Sequence, residues 1–104
     1  MSARNARLPN LSGTEGLILD LLGRSKGMYG LELVAASGGE LKRGTVYVTL
    51  ARMEDKGFIA SRRDDERPAS GGLPRRLYTA TSYGRELVAA RIALRRRLLP
   101  RFAR

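Results

Sequence analysis

The chain has 104 residues, with 20 lysine and arginine residues against 10 aspartate and glutamate residues, and it contains neither cysteine nor histidine. This length predicts one domain with a single modest core. The missing residue types exclude disulfide bonds, thiolate chemistry, sulfur-based zinc sites and the commonest general base, so we expect no enzyme, no cofactor and no metal site.

The formal net charge of +10 predicts a polyanionic partner, with nucleic acid first and an anionic membrane surface second. The excess charge begins at Lys42, because residues 12–41 carry more acidic than basic groups. No apolar stretch approaches the roughly 18–20 residues that span a bilayer, and the N-terminus lacks the apolar region of a signal peptide. We therefore expect a cytoplasmic location and no membrane partner.

Two helices are predicted in the first third of the chain, after a polar, basic arm at residues 1–11. Ser12 and Glu15 fit a capping box in front of apolar residues at helical spacing, which predicts the start of the first helix. A second helix is predicted from Tyr29 to the glycine pair at 38–39, because glycine accepts the left-handed conformation that ends helices.

A third helix is predicted over residues 44–56, with a glycine directly after it. Val46, Leu50 and Met53 recur at the spacing of one buried helix face. The remaining faces are largely polar, and a pair of basic residues precedes the helix. This pattern favours a helix that enters a nucleic-acid groove.

Residues 58–63 and 75–81 have the composition of strands, and the segment DDERPASGGLP between them is rich in turn formers. They predict a β-hairpin, or wing, with Phe58 and Tyr78 in its core. Thr81 and Ser82 then cap a last helix that is expected to end near Leu99, before a proline.

The apolar stripe of the last helix is wider than a core of this size needs, so we expect the helix to pair with a second copy of the chain. Seven residues are predicted to make this dimer contact: Tyr83, Leu87, Val88, Ile92, Leu94, Leu98 and Leu99.

The order of elements predicts a mainly α fold with a small β-hairpin, which is a winged helix-turn-helix followed by a C-terminal dimerisation helix. We expect a DNA-binding domain at residues 12–80, and a dimerisation helix with a short basic tail at residues 81–104. In such a fold the third helix enters the major groove of double-stranded DNA, and wing arginines meet phosphates. The predicted DNA-binding residues are Lys42, Arg43, Gly44, Thr45, Tyr47, Thr49, Arg52, Arg63, Arg67, Arg75 and Arg76.

Four stretches of the chain resemble the PadR family of bacterial transcriptional regulators, namely LSGTEGLILDLL, MYGLEL, RGTVYVTLARMEDKGFI and GGLPRRLYTATSYGRE. The resemblance covers about residues 11–99 and implies a homodimeric winged-helix repressor whose last helix makes the dimer. It also implies DNA contacts at Thr45, Tyr47 and the wing arginines. Some members release DNA on binding a small hydrophobic or aromatic effector. Val48 stands where the family commonly has proline, and Leu31 where an aromatic residue often follows the glycine.

Several alternatives stay open at this level. The polar face of the third helix has an alternative explanation as an ordinary solvated surface that does not contact DNA. Tyr47 has an alternative place under the wing. Tyr29 is expected to pack between the first two helices, with a place in the lining of a ligand cavity as its alternative. As a whole, the chain has an alternative function as a winged-helix interaction module whose last helix docks a partner protein. An RNA-binding protein is a weaker alternative.

Overall fold

The computed structural model describes residues 11–64 and 75–102. Residues 1–10 of the predicted arm, the wing tip with Arg67, and the last two residues of the basic tail lie outside the described residues. The elements in chain order are α1 (Gly13–Gly23), β1 (Met28–Tyr29), α2 (Gly30–Ala36), α3 (Val46–Asp55), β2 (Ile59–Asp64), β3 (Arg75–Ala80) and α4 (Ser82–Phe102).

The predicted capping box starts α1. The Ser12 hydroxyl accepts a hydrogen bond of 3.1 Å from the Glu15 amide, and the Glu15 carboxylate accepts one of 3.0 Å from the Ser12 amide. These two bonds satisfy amides that a helix start otherwise leaves unpaired. Behind the cap, Ile18, Leu19 and Leu22 are fully buried and form the centre of the core.

The helix-turn-helix consists of α2, α3 and the segment between them. Ser37 anchors this segment, because its hydroxyl donates to the Val34 carbonyl at 2.7 Å and accepts from the Leu41 amide at 2.9 Å. Gly38 and Gly39 have φ values of 65° and 95°, in the left-handed region that favours glycine. The predicted end of α2 at this glycine pair is therefore confirmed.

Helix α3 begins at Val46, two residues later than the sequence predicts. The amides of Thr45 and Val46 both donate to the Lys42 carbonyl, so residues 42–45 form a turn and Thr45 flanks the helix. The end is as predicted, since Gly57 has a φ of 84°. The amide of Phe58 there donates to the Met53 carbonyl at 3.1 Å, which closes the helix end.

The wing is part of a three-stranded antiparallel sheet in the order β1–β3–β2. The predicted hairpin is confirmed, with Asp64 opposite Arg75 at its described outer end and Ile59 opposite Ala80 at its base. Strand β1 has two residues and pairs Met28 with Tyr78. A strand this short has no sequence period of its own and exists only through its pairing with β3.

The first half of α4 packs on α1 and belongs to the core of a single chain. Leu87 and Val88 are 4% and 9% exposed, and the Val88 methyl groups lie against Gly23. The prediction that these two residues form a dimer contact is therefore corrected, since their side chains are already covered within one chain. At the start of α4, the Thr81 hydroxyl accepts a hydrogen bond of 3.0 Å from the Gly84 amide.

Helix α4 continues through Pro100 to Phe102, beyond the predicted end near Leu99. Proline fixes φ near −65°, which a helix accepts, although it removes the hydrogen bond to the carbonyl four residues earlier and crowds that carbonyl. None of the helices in the described ranges combines the length and the hydropathy that a membrane crossing requires.

Candidate nucleic-acid interface

Helix α3 buries one side and exposes the other. Val46, Leu50 and Met53 are inside the core, whereas Val48 and Arg52 are exposed on the far side. Thr49 lies at the border, half-buried, with its hydroxyl donating to the Thr45 carbonyl at 3.2 Å. The exposed side is free of acidic residues in its first turn, which suits the approach of a polyanion.

The turn before α3 places basic groups at the N-terminal end of this helix. Lys42, Arg43, Gly44 and Thr45 are all exposed. The first-turn amides of a helix carry partial positive charge, so these two cations add to a potential that already attracts phosphates. The turn and the exposed side of α3 form one continuous exposed surface.

The ring of Tyr47 lies against Gly30 at the start of α2. A Cβ atom at Gly30 would stand 2.5 Å from Cε1 of that ring, so only glycine leaves room for it. Tyr47 is still 48% exposed. The ring is therefore held by α2 and presents its other side outward, which differs from the alternative place under the wing.

The sheet register places wing arginines on both faces of the hairpin. Arg63 lies directly opposite Arg76, on the face that also carries the buried Tyr78 and contacts the helices. Arg75 lies on the other face, because side chains alternate along a strand. Like charges at directly opposed positions repel each other.

A chain of hydrogen bonds connects Arg76 to α3. Arg76 Nε donates to the Ser61 hydroxyl at 3.1 Å, and that hydroxyl donates to the Glu54 carboxylate at 2.8 Å. The wing arginine on the helix-facing side is thereby positioned relative to α3. Burial raises the pKa of the nearby Tyr78 hydroxyl, and the Glu54 carboxylate raises it further.

Arg75 is positioned on the other face by β1. Its guanidinium carbon lies 4.8 Å from the centroid of the Tyr29 ring, at cation–π distance. The Tyr29 hydroxyl donates a hydrogen bond to Asp64, the residue opposite Arg75 in the hairpin. Tyr29 thus contacts the wing, and the expectation that it packs between the first two helices is wrong because the residue is part of the sheet.

An ion pair connects the far end of α3 to α1. Lys56 Nζ lies 2.8 Å from the carboxylate of Glu15, which is almost completely buried. Burial alone would raise the pKa of Glu15, but the Lys56 ammonium group and the Ser12 amide outweigh it and hold the pKa below its ordinary value. Both ends of α3 are therefore fixed to neighbouring elements.

The second half of α4 is largely uncovered by the other described residues. Every residue from Ile92 to Leu99 is exposed, and four of the eight are large apolar residues. Leu94 and Leu98, for example, are 48% and 42% exposed. Closer to the core, the centroid of the Tyr83 ring lies 5.4 Å from the centroid of the Phe58 ring. Tyr83 therefore has a partner in its own chain as well as an exposed side.

Sequence reasoning missed four residues of this surface. Val48 could have been found, because it lies two residues after the buried Val46 and so faces away from the core. Glu54, Ser61 and Asp64 gave no signal, since their contacts depend on a strand register and on helix packing that no local pattern specifies.

A helix-turn-helix followed by a hairpin, with basic groups around the exposed side of its second helix, is a winged helix-turn-helix; α3 occupies the position of the recognition helix in this fold. Residues 18–90 match the transcriptional regulator PadR-like family. The chain belongs to this family of transcriptional regulators, a fold and class that imply regulation through DNA binding.

Solved structures agree with this assignment. A PadR family transcription regulator from Clostridium difficile R20291 has a TM-score of 0.66 at 26% identity, over 86% of this chain and 97% of that chain. One from Eggerthella lenta DSM 2243 has a TM-score of 0.63 at 27% identity, over 81% and 75%. The regulator MarR has a TM-score of 0.70 at 26% identity, over 89% and 66%. No curated protein matches the chain.

Proposed function

We infer that this protein is a sequence-specific repressor that binds a (pseudo)palindromic DNA operator as a homodimer in the cytoplasm. The observation that carries the inference is the hydrogen-bonded chain from Glu54 through Ser61 to Arg76. It fixes a wing cation relative to the recognition helix, which is the arrangement needed if both elements contact the same stretch of DNA. Family membership supports the same function.

In this proposal the exposed side of α3 and the basic residues around it have different roles. The exposed side of α3 reads base edges in the major groove, with Thr45, Tyr47, Thr49 and Arg52 as its predicted contacts. Lys42 and Arg43, together with the wing arginines Arg63, Arg67, Arg75 and Arg76, meet phosphates and supply affinity that depends on salt.

The homodimer is proposed from the uncovered half of α4. Ile92, Leu94, Leu98 and Leu99 continue the core-facing side of the helix beyond the end of the core. A second copy of the same helix would cover them, and the helix is long enough to allow this without disturbing Leu87. A dimer also doubles the DNA site, which a single domain of this size needs for specificity.

Effector release stays a prediction of the family resemblance. The uncovered apolar side chains of α4 are the part of the described surface that suits a small hydrophobic or aromatic molecule. Such a molecule would compete with, or remodel, the contact between two copies. A shift in melting temperature with ligand concentration would identify it.

Two measurements on the wild-type protein test the proposal. Light scattering after gel filtration should give the mass of two chains, and fluorescence anisotropy should detect binding to DNA from upstream of the gene at salt concentrations that abolish binding to random duplex. A monomer that shows no preference among duplexes would overturn the proposal. It would favour instead the interaction module whose α4 docks another protein.

A further inference from the structure

Val48 is the large apolar residue with the highest exposed fraction among those the structure describes, at 60%. It follows the buried Val46 by two residues, which places it about 200° further around the helix and so almost opposite the core. Its side chain therefore does little for folding. It lies near the start of the recognition helix, the part of such a helix that approaches base edges most closely.

The surroundings of Val48 are suited to DNA. Ala51, on the adjacent exposed side of the next turn, is small and leaves space for close approach. Arg52 follows one turn after Val48 and adds positive charge. Asp55 is exposed on the same side in the last turn, so the acidic end of the helix is the one that must stay away from phosphates. These features point the N-terminal half of α3 into the groove.

The chemistry of valine then restricts what it can recognise. Its side chain neither donates nor accepts hydrogen bonds, so it cannot read the polar edges of bases. The major groove contains one apolar group, the 5-methyl group of thymine. We propose that Val48 is a specificity-determining residue that recognises thymine through this methyl group. The proposal rests on the DNA-binding function proposed above and names a part of its sequence preference.

The test begins with selection of bound duplexes from a random-sequence pool by the wild-type protein. Each thymine of the resulting consensus is then replaced, one at a time, by deoxyuridine, which lacks only the methyl group. Replacement of one particular thymine in each half-site should lower the affinity of the protein for the duplex about fourfold, which is the effect expected when one buried methyl group is lost. Affinity for unrelated duplex should not change.

The same measurements on Val48→Ala connect the effect to this side chain. The variant should bind the thymine and deoxyuridine duplexes equally, close to the level of the wild type on deoxyuridine. Replacement of the other thymines serves as an internal control and should affect both proteins alike. Because Val48 is exposed and alanine favours helices, the variant should keep the wild-type circular dichroism spectrum and a melting temperature at least as high as that of the wild type.

The possible failures are distinguishable. If the wild type selects no consensus, both the proposed operator binding and this inference are overturned. If a consensus appears but no thymine shows an effect that depends on Val48, only this inference fails. A change from dimer to monomer in Val48→Ala would also overturn it, because Val48 would then contact a second copy of the chain.

Discussion

Ser61 in the wing donates a hydrogen bond of 2.8 Å to the Glu54 carboxylate in the recognition helix. The same hydroxyl accepts from Arg76 at 3.1 Å. One small side chain therefore joins the element that would read bases to a cation that would meet a phosphate. This contact is the basis of the first prediction.

Replacement Ser61→Ala should weaken operator binding and also lower the stability of the fold. Loss of the partly buried hydrogen bond to Glu54, together with the exposed one from Arg76, should lower the free energy of unfolding by about 0.5–1.5 kcal/mol. Operator affinity should fall several-fold, because Arg76 is no longer held beside α3. Chemical denaturation and fluorescence anisotropy measure the two effects. Ser82→Ala, at the exposed start of α4, is the matched control, and equal affinity of both variants would contradict the prediction.

Replacement Arg76→Ala should reduce the salt dependence of DNA binding. The slope of log affinity against log salt should fall by about 0.9 for each phosphate that the protein no longer neutralises, and operator and random DNA should be affected alike. Arg97→Ala removes the same charge from α4 and is the control for net charge. An unchanged slope in Arg76→Ala would mean that this residue does not contact phosphate.

The ion pair between Glu15 and Lys56 predicts a loss of stability in acid. Because the pKa of Glu15 is lower in the folded chain than its ordinary value of 4.5, the unfolded chain takes up the proton first. The stabilisation is complete above that ordinary value and is lost as pH falls through the folded pKa.

Replacement Glu15→Gln should flatten this acid loss. Glutamine still offers an oxygen to the Ser12 amide, so the variant removes the charge and largely keeps the helix cap. Denaturation at a series of pH values between neutrality and about pH 3 measures the difference. Glu86→Gln, at an exposed site on α4, is the control. The prediction fails if the two variants lose stability in parallel with the wild type.

Gly84 is predicted to tolerate no larger residue. A Cβ atom there would lie 2.1 Å from the Phe58 carbonyl oxygen, which is backbone and cannot move aside cheaply. Gly84→Ala should lower the free energy of unfolding by about 1–3 kcal/mol or more, although alanine normally favours helices. Gly13→Ala, where nothing lies within 4 Å, should leave stability within about 0.5 kcal/mol of the wild type. Similar melting temperatures for both variants would refute the contact.

The double replacement Leu94→Asp and Leu98→Asp should convert the proposed dimer to a monomer. Both side chains are exposed in one chain, so helical content should persist while the mass from light scattering halves. Ala93→Asp, on another side of α4, adds a charge without entering the apolar stripe and should remain dimeric. A double variant that keeps the mass of two chains would place the interface elsewhere.

Much of the fold follows from local patterns in the sequence. Ser12 and Glu15 specify the start of α1, and Gly57 specifies the end of α3, because each acts within one turn of helix. The hairpin is equally local. Apart from the first residue of α3 and the last residues of α4, the misses involve distant partners. Strand β1 needs β3, and the burial of Val88 needs α1. A stripe of apolar residues on α4 does not reveal how much of it one chain already covers.

In the candidate site, too, local features are predictable from the sequence and contacts between distant residues are not. The exposed side of α3 is predictable, since Val46 and Leu50 fix its rotation. The arrangement of the wing arginines depends on the register of β2 and β3, which a hairpin with a long connection does not encode locally. For this reason the pairing of Arg63 with Arg76 is visible only in the folded chain.

The contact of Gly84 and Thr81 with the turn at Phe58 also has a geometric consequence. It joins the beginning of α4 to the point where the recognition helix ends, with the Thr81 amide donating to the Phe58 carbonyl at 3.1 Å. In a dimer made through α4, the crossing angle of the two helices would then set the separation of the two recognition helices. Half-sites that lie one helical turn apart on the operator require the two recognition helices to be about 34–36 Å apart. A substitution that rotates α4 would therefore change the preferred spacing between half-sites and leave the sequence of each half-site unaltered.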